Sequence, residues 1–139
     1  MINSLLKAAS LFAACALSAV IAVQATAASK PKERVFEMRT YTAHPGKAED
    51  MHKRFRNHTC ALFKKHGMEL VGFWVPQEKK DVLVYILAYP SRDAAKEAWK
   101  AFGNDPEWKK VYAESHKNGP LVAKVESVFM DPTDYSDIK

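Results

Sequence analysis

The sequence predicts an α+β domain with the element order β-α-β-β-α-β. This is the ferredoxin-like arrangement, in which both helices cover one side of a four-stranded antiparallel sheet. Three observations carry the prediction. Residues 35–42, 68–75, 82–89 and 121–130 are short stretches rich in β-branched and aromatic side chains. Two longer regions between them repeat apolar residues at helical spacing. Turn-forming residues mark the joints, as at His44-Pro45-Gly46 and Asn118-Gly119-Pro120.

In chain order, VFEMRTYT at 35–42 alternates and reads as the first strand. Residues 47–66 then carry Ala48, Met51, Phe55, Thr59 and Leu62 on one helical stripe, with Gly67 placed to end the helix. MELVGFWV at 68–75 is the second strand, residues 77–81 form a charged turn, and VLVYILAY at 82–89 is the third. Ser91 is placed to cap a second helical region, AAKEAWKAFG. That region breaks at Gly103-Asn104 and restarts after Asp105-Pro106 as EWKKVYAES, with proline at the first helical position. Residues 121–130 supply the fourth strand, and 132–139 form an acidic tail after a domain at 35–131.

Residues 1–27 read as a signal peptide: Lys7 is the one positive charge, 8–23 are small and apolar, and Ala25-Thr26-Ala27 fits an A-x-A cleavage site. The apolar run falls short of the roughly 20 residues a spanning helix needs, so no stable membrane insertion is expected after cleavage. The scarcity of arginine points to bacterial export, periplasmic or secreted, with 28–34 as a linker. Removing 27 of the 139 residues leaves 112, enough for one domain, and lowers the formal net charge from +5 to +4. The lysines are scattered and form no basic stripe interleaved with aromatics, which argues against nucleic-acid binding. Cys60 is then the single cysteine, so an intramolecular disulfide is excluded.

Period-two alternation sets Val82, Val84, Ile86 and Ala88 against Leu83, Tyr85, Leu87 and Tyr89, and Leu70 and Trp74 against Val71, Phe73 and Val75. Both faces are apolar, yet the helices can cover one only. A bare apolar sheet face marks an interaction surface. The expected cover is a second copy, giving two sheets face to face with a cavity between them.

Three stretches, FEMRTYT, FRNHTCALFKKHGMELVGFW and AKEAWKAFGNDPEWKKVYAES, together spanning most of residues 35–131, resemble the NIPSNAP domain family of the dimeric α+β barrel superfamily. The motifs R-T-Y, H-G-x-x-x-V-G-x-W and F-x-x-D-P-x-W occur in the family's order. The chain departs from the family at Cys60-Ala61, where Leu-Pro is common, so a proline break in the first helix is missing. The resemblance implies the fold and the face-to-face homodimer. It carries over no catalytic set, and the wider superfamily includes cofactor-independent monooxygenases and haem-handling proteins.

The histidines of the first helix do not make a metal site. His58 and His66 lie about 80° apart around the axis and about 12 Å apart along it, and His52 and His58 about 120° apart. Bonds near 2 Å cannot span those separations. Cys60 falls opposite the Met51/Phe55/Leu62 stripe and reads as a small exposed residue without a role; Lys53, Arg56 and Lys64 nearby would favour a thiolate, so a reactive thiol or an intermolecular disulfide is the alternative. His58 sits at the edge of the apolar stripe, either bonded to backbone or reaching a ligand cavity. His66 suits the helix C-terminus, and His44 and His116 lie in or near turns. Trp99, Phe102 and Trp108 read as core.

Glu37, Arg39 and Tyr41 share the strand face opposite Phe36 and Met38. If helices cover Phe36 and Met38, then Arg39 and Tyr41 point between the two sheets, with Trp74 and Tyr85 lining the same space. A buried arginine there needs an anion, either Glu126 of the fourth strand or a ligand. The candidate ligand-binding residues are therefore Arg39, Tyr41, His58, Trp74 and Tyr85. The expected function is an exported homodimer binding a small, partly apolar, anionic molecule without metal or other cofactor. The alternatives are a cofactor-independent oxygenase, a haem-handling protein using His58 or His116, and an adaptor dimer whose cavity is filled by its own side chains.

Overall fold

The computed structural model describes residues 34–139; the expected signal peptide and all of the expected linker except Arg34 lie outside the described residues. The elements are β1 (Val35–Ala43), α1 (Ala48–Arg54), a π-helical segment (Phe55–Thr59), α2 (Cys60–Lys65), β2 (Glu69–Trp74), β3 (Val82–Tyr89), α3 (Arg92–Asn104), α4 (Pro106–Ser115) and β4 (Val122–Met130). The sheet is antiparallel with order β2-β3-β1-β4, so β1 is central, as the ferredoxin-like topology requires.

Helix ends follow local chemistry. Gly67 at φ 76° lets its own N–H reach the Lys64 carbonyl and the Met68 N–H reach that of Phe63, the double closure of a Schellman motif. The Ser91 hydroxyl accepts from the Ala94 N–H at 3.1 Å. Asp105 accepts from the Glu107 N–H at 2.8 Å and caps α4, with Pro106 at its first position. α1, the π-helical segment and α2 form one continuous rod without a proline. In the middle of it the Cys60 N–H bonds to the Phe55 carbonyl, one residue wider than α spacing.

The helices cover the opposite side of the sheet from the one expected. The core cluster contains Leu83, Tyr85, Leu87 and Tyr89 of β3 with Phe55, Phe63 and Phe102 of the helices, and Tyr41 packs against it. Arg39 pairs with Tyr85 and Tyr41 with Leu83 in the ladder, so Glu37, Arg39 and Tyr41 lie beneath the helices rather than between sheets. Period two says which residues share a face but not which face the helices take. The chosen face carries the larger aromatic surface, and burying it yields more hydrophobic stabilisation.

β2 holds a second correction. An irregularity between Leu70 and Gly72 breaks its alternation, so Leu70 pairs with Leu87 toward the helices while Trp74 pairs with Val84 on the other side. The uncovered face presents Met38, Val84, Ile86, Trp74 and Val128, of which Trp74 and Val128 are each 51% exposed. Trp74 lies across Gly72, where a Cβ would meet its ring at 2.5 Å. At one end of the sheet Arg34 stacks on Phe36 and donates to the Lys139 carbonyl, drawing the tail back to the domain.

Candidate functional site

Beneath the helices, Glu37 is a carboxylate with four donors. It accepts from Tyr89 Oη at 2.8 Å, Trp99 Nε1 at 2.7 Å, Ser127 Oγ at 2.6 Å and Arg39 Nη1 at 2.6 Å. Burial raises its pKa, but the bonds from Ser127, Trp99 and Tyr89 and the Arg39 charge outweigh that and hold it below the ordinary value. Arg39 stacks on Trp99 with 4.2 Å from guanidinium carbon to ring centroid. The anion that Arg39 requires is thus Glu37, two residues away on its own strand, and not Glu126. Glu126 pairs with Thr40 on the open face and bonds Lys124 at 3.0 Å. Trp99, read as core, packs against the core cluster and also turns its N–H to this carboxylate.

The uncompensated cation is Arg54. Its position, three after Met51 and one before Phe55, lies within the apolar stripe of the first helix, and it is 6% exposed. Nη1 donates to Ser115 Oγ at 3.2 Å, the guanidinium packs over Trp108 and Tyr112, and Nε is buried without a partner. Among the described residues it has no carboxylate at ion-pair distance. Burial accordingly pulls its pKa below the ordinary arginine value.

Arg54 lines an inner cavity of about 230 Å³ between the helices and the β4 side of the sheet. Tyr41, Phe55, Phe63, Phe102, Trp108 and Tyr112 form its aromatic wall. Thr59 opens onto the same cavity, 2% exposed and with Oγ1 unpartnered. In a regular α-helix, residues 54 and 59 would lie about 140° apart. The π-helical segment between them widens the turn and brings both polar groups to one wall. A Tyr85 hydroxyl, also buried and unpartnered, lies behind Tyr41, whose ring meets the Tyr85 ring edge-on at 5.3 Å.

The structure therefore brings Arg39, Tyr41 and Tyr85 together, but on the helix side of the sheet. Trp74 stands on the opposite side. His58 is exposed and lines an outer cleft between the first helix and α4, also bounded by Arg54. His116 faces the inner cavity. Its Nδ1 lies 2.7 Å from the Tyr112 carbonyl, an acceptor only, so Nδ1 donates there and Nε2 is the acceptor of the neutral ring. Cys60 is half-buried against the core rather than exposed, and burial raises its pKa over the opposing effect of Lys64, which goes against the reactive-thiol alternative. His66 Nε2 meets Asp105 Oδ2 at 2.6 Å, and Lys65 Nζ meets the same oxygen at 2.8 Å, tying α2 to the cap of α4. Sequence reasoning missed Arg54; an arginine at a stripe position was the available signal.

An α+β domain with its helices on one sheet face, and an aromatic recess with a cationic wall beneath them, defines the class. The NIPSNAP family model matches residues 36–137, and the chain belongs to that family. A curated Caenorhabditis elegans relative bearing the NipSnap name is 24% identical over 110 residues, which cover 79% of this chain and 20% of that protein. The chain thus spans about a fifth of that relative. A NIPSNAP family protein of unknown function from Agrobacterium tumefaciens superposes with TM-score 0.68 at 23% identity, covering 79% of this chain and 97% of that one. A NIPSNAP-like domain protein from Burkholderia xenovorans gives 0.67 at 17%, covering 76% and 90%. SnoaB, a cofactor-independent oxygenase from Streptomyces nogalater, gives 0.54 at 18%, covering 73% and 95%. These likenesses establish the fold.

Proposed function

We propose that this protein is an exported, periplasmic or secreted homodimer that binds a small, partly apolar, anionic molecule in each chain. The recess lies between the helices and the sheet, not between two sheets. The observation that carries this reading is Arg54, a buried guanidinium without a carboxylate partner in an aromatic-walled cavity. Burying a cation is costly unless an anion meets it, and a ligand carboxylate, sulfonate or phosphate would do so. Open recesses also favour binding over an adaptor whose cavity is filled by its own side chains.

The test is calorimetric titration with benzenesulfonate, a one-ring aromatic anion, against the wild type and Arg54→Met. Removing a buried unpaired charge in favour of an apolar side chain of similar length should leave the fold intact. Affinity is expected to fall at least tenfold in the variant. Equal affinity in both proteins would overturn the reading. Native mass spectrometry of protein taken from its own cells should show bound mass on a dimer.

A second reading, a cofactor-independent oxygenase, is favoured by His116, whose acceptor Nε2 could take a proton from a bound substrate. Haem fits poorly. The inner cavity that His116 lines is smaller than the roughly 300 Å³ at which pockets for drug-sized ligands begin, and the outer cleft that His58 lines is walled mainly by charged and polar side chains rather than by an apolar pocket.

A further inference from the structure

Arg54 forms part of the wall of two recesses, the inner aromatic cavity and an outer cleft of about 550 Å³ between the first helix and α4. Their chemistry differs. The outer cleft carries Lys47, Lys53 and Lys110 besides Arg54, against the acids Asp50, Glu107 and Glu114. Two of those acids are engaged elsewhere: Glu114 pairs with Lys117 at 2.6 Å, and Glu107 with Lys65 at 3.4 Å. Neither Lys117 nor Lys65 lines the cleft. Among the described residues, Lys47, Lys53, Arg54 and Lys110 have no acid at ion-pair distance, and Asp50 is the remaining uncommitted carboxylate. Four cations thus face one free acid, and the most buried of the four stands at the inner end, beside the aromatic cavity.

We infer that the ligand is an amphipathic molecule with a multiply charged anionic head, phosphate-like rather than a single carboxylate, seated in the outer cleft, and a short apolar end in the inner cavity. This rests on the binding reading above and assigns its ligand class and orientation. A single carboxylate would satisfy Arg54 alone. A head with about two negative charges uses Arg54 together with Lys53 and Lys110, which approach as point charges from the cleft walls. The inner volume is that of about eight liquid waters at ~30 Å³ each, room for a short chain or one ring. Both recesses lie on the helix side, so pairing through the open sheet face leaves them accessible.

Octyl phosphate, octanoate and inorganic phosphate, each below any micellar concentration, provide the test by isothermal titration calorimetry at low salt. Octyl phosphate is expected to bind at least tenfold more tightly than either octanoate or inorganic phosphate. The double variant Lys53→Met/Lys110→Met, which replaces two exposed side chains, should remove most of the advantage over octanoate. Added salt should weaken octyl phosphate more than octanoate. Equal affinity for octyl phosphate and octanoate, or an advantage that survives the double variant, would overturn the assignment while leaving the pocket reading intact. Inorganic phosphate binding as well as octyl phosphate would remove the apolar end. If neither amphiphile binds but benzenesulfonate does, the assignment fails alone; if no probe binds, both readings fail.

Discussion

Two arginines in this domain are buried to similar effect but balanced differently. Arg39 has Glu37, and Glu37 has three further donors, so the Arg39 charge is balanced even though its Nε, like that of Arg54, is buried without a partner. Removing one partner of a fully buried pair costs ~3–5 kcal/mol. Because the Arg39 side chain keeps 17% of its surface exposed, Glu37→Gln should cost less, about 2–3 kcal/mol in urea unfolding. The pH dependence has a fixed sign. The folded-state pKa of Glu37 lies below its unfolded value, so its stabilisation is complete above about pH 4.3 and is lost as pH falls through the folded value. Glu37→Gln should therefore flatten the acid limb of the stability curve relative to the wild type; an unchanged limb would show that other carboxylates govern it. Arg54 has no such partner, and that difference makes it the candidate site. The first pair was half legible: β1 alternation put Glu37 and Arg39 on one face, but not Trp99 or Ser127 against them, because those contacts cross from α3 and β4.

At the scale of elements, the π-helical segment Phe55–Thr59 shapes the site. Its wider turn puts Arg54 and Thr59 on the same cavity wall, and insertions of this kind recur at functional sites. Deleting Asn57, an exposed residue within the segment, should restore regular α spacing. The expected outcome is unchanged helical circular dichroism with at least a tenfold loss of benzenesulfonate affinity. Retained affinity would separate the segment from binding. The helix itself was legible from its apolar stripe, which counted Thr59 as a packing residue. The π turn was not, since a pattern read at 3.6 residues per turn has no place for an extra residue. The missing proline at Cys60-Ala61 has not left the rod regular, because the π segment interrupts the α ladder just before it.

For the whole molecule, the sheet face away from the helices keeps an apolar patch of Met38, Val84, Ile86, Trp74 and Val128, bordered on β4 by Lys124 and Glu126. A patch of that kind on a small domain calls for a cover, and the proposed homodimer supplies one. Ile86→Lys places a charge in the patch without touching the helix-side core. Sedimentation should then show a monomer where the wild type is a dimer, with circular dichroism unchanged. A wild type that sediments as a monomer would refute the proposed pairing.

The sequence by itself determined the element order, the strand pairing, the helix caps at Ser91, Asp105 and Gly67, and the family. The element order and the caps rest on local periodicity and turn chemistry, which act over a few residues; the strand pairing follows from the topology that order defines, and the family from the resemblance of three motif stretches. The tertiary structure decided which sheet face the helices cover, and with it the surroundings of Arg39, Tyr41 and Tyr85. It also decided that Arg54 is the buried cation lacking a carboxylate. Both outcomes depend on comparing burial across distant elements, and alternation alone treats the two faces of a strand as equivalent.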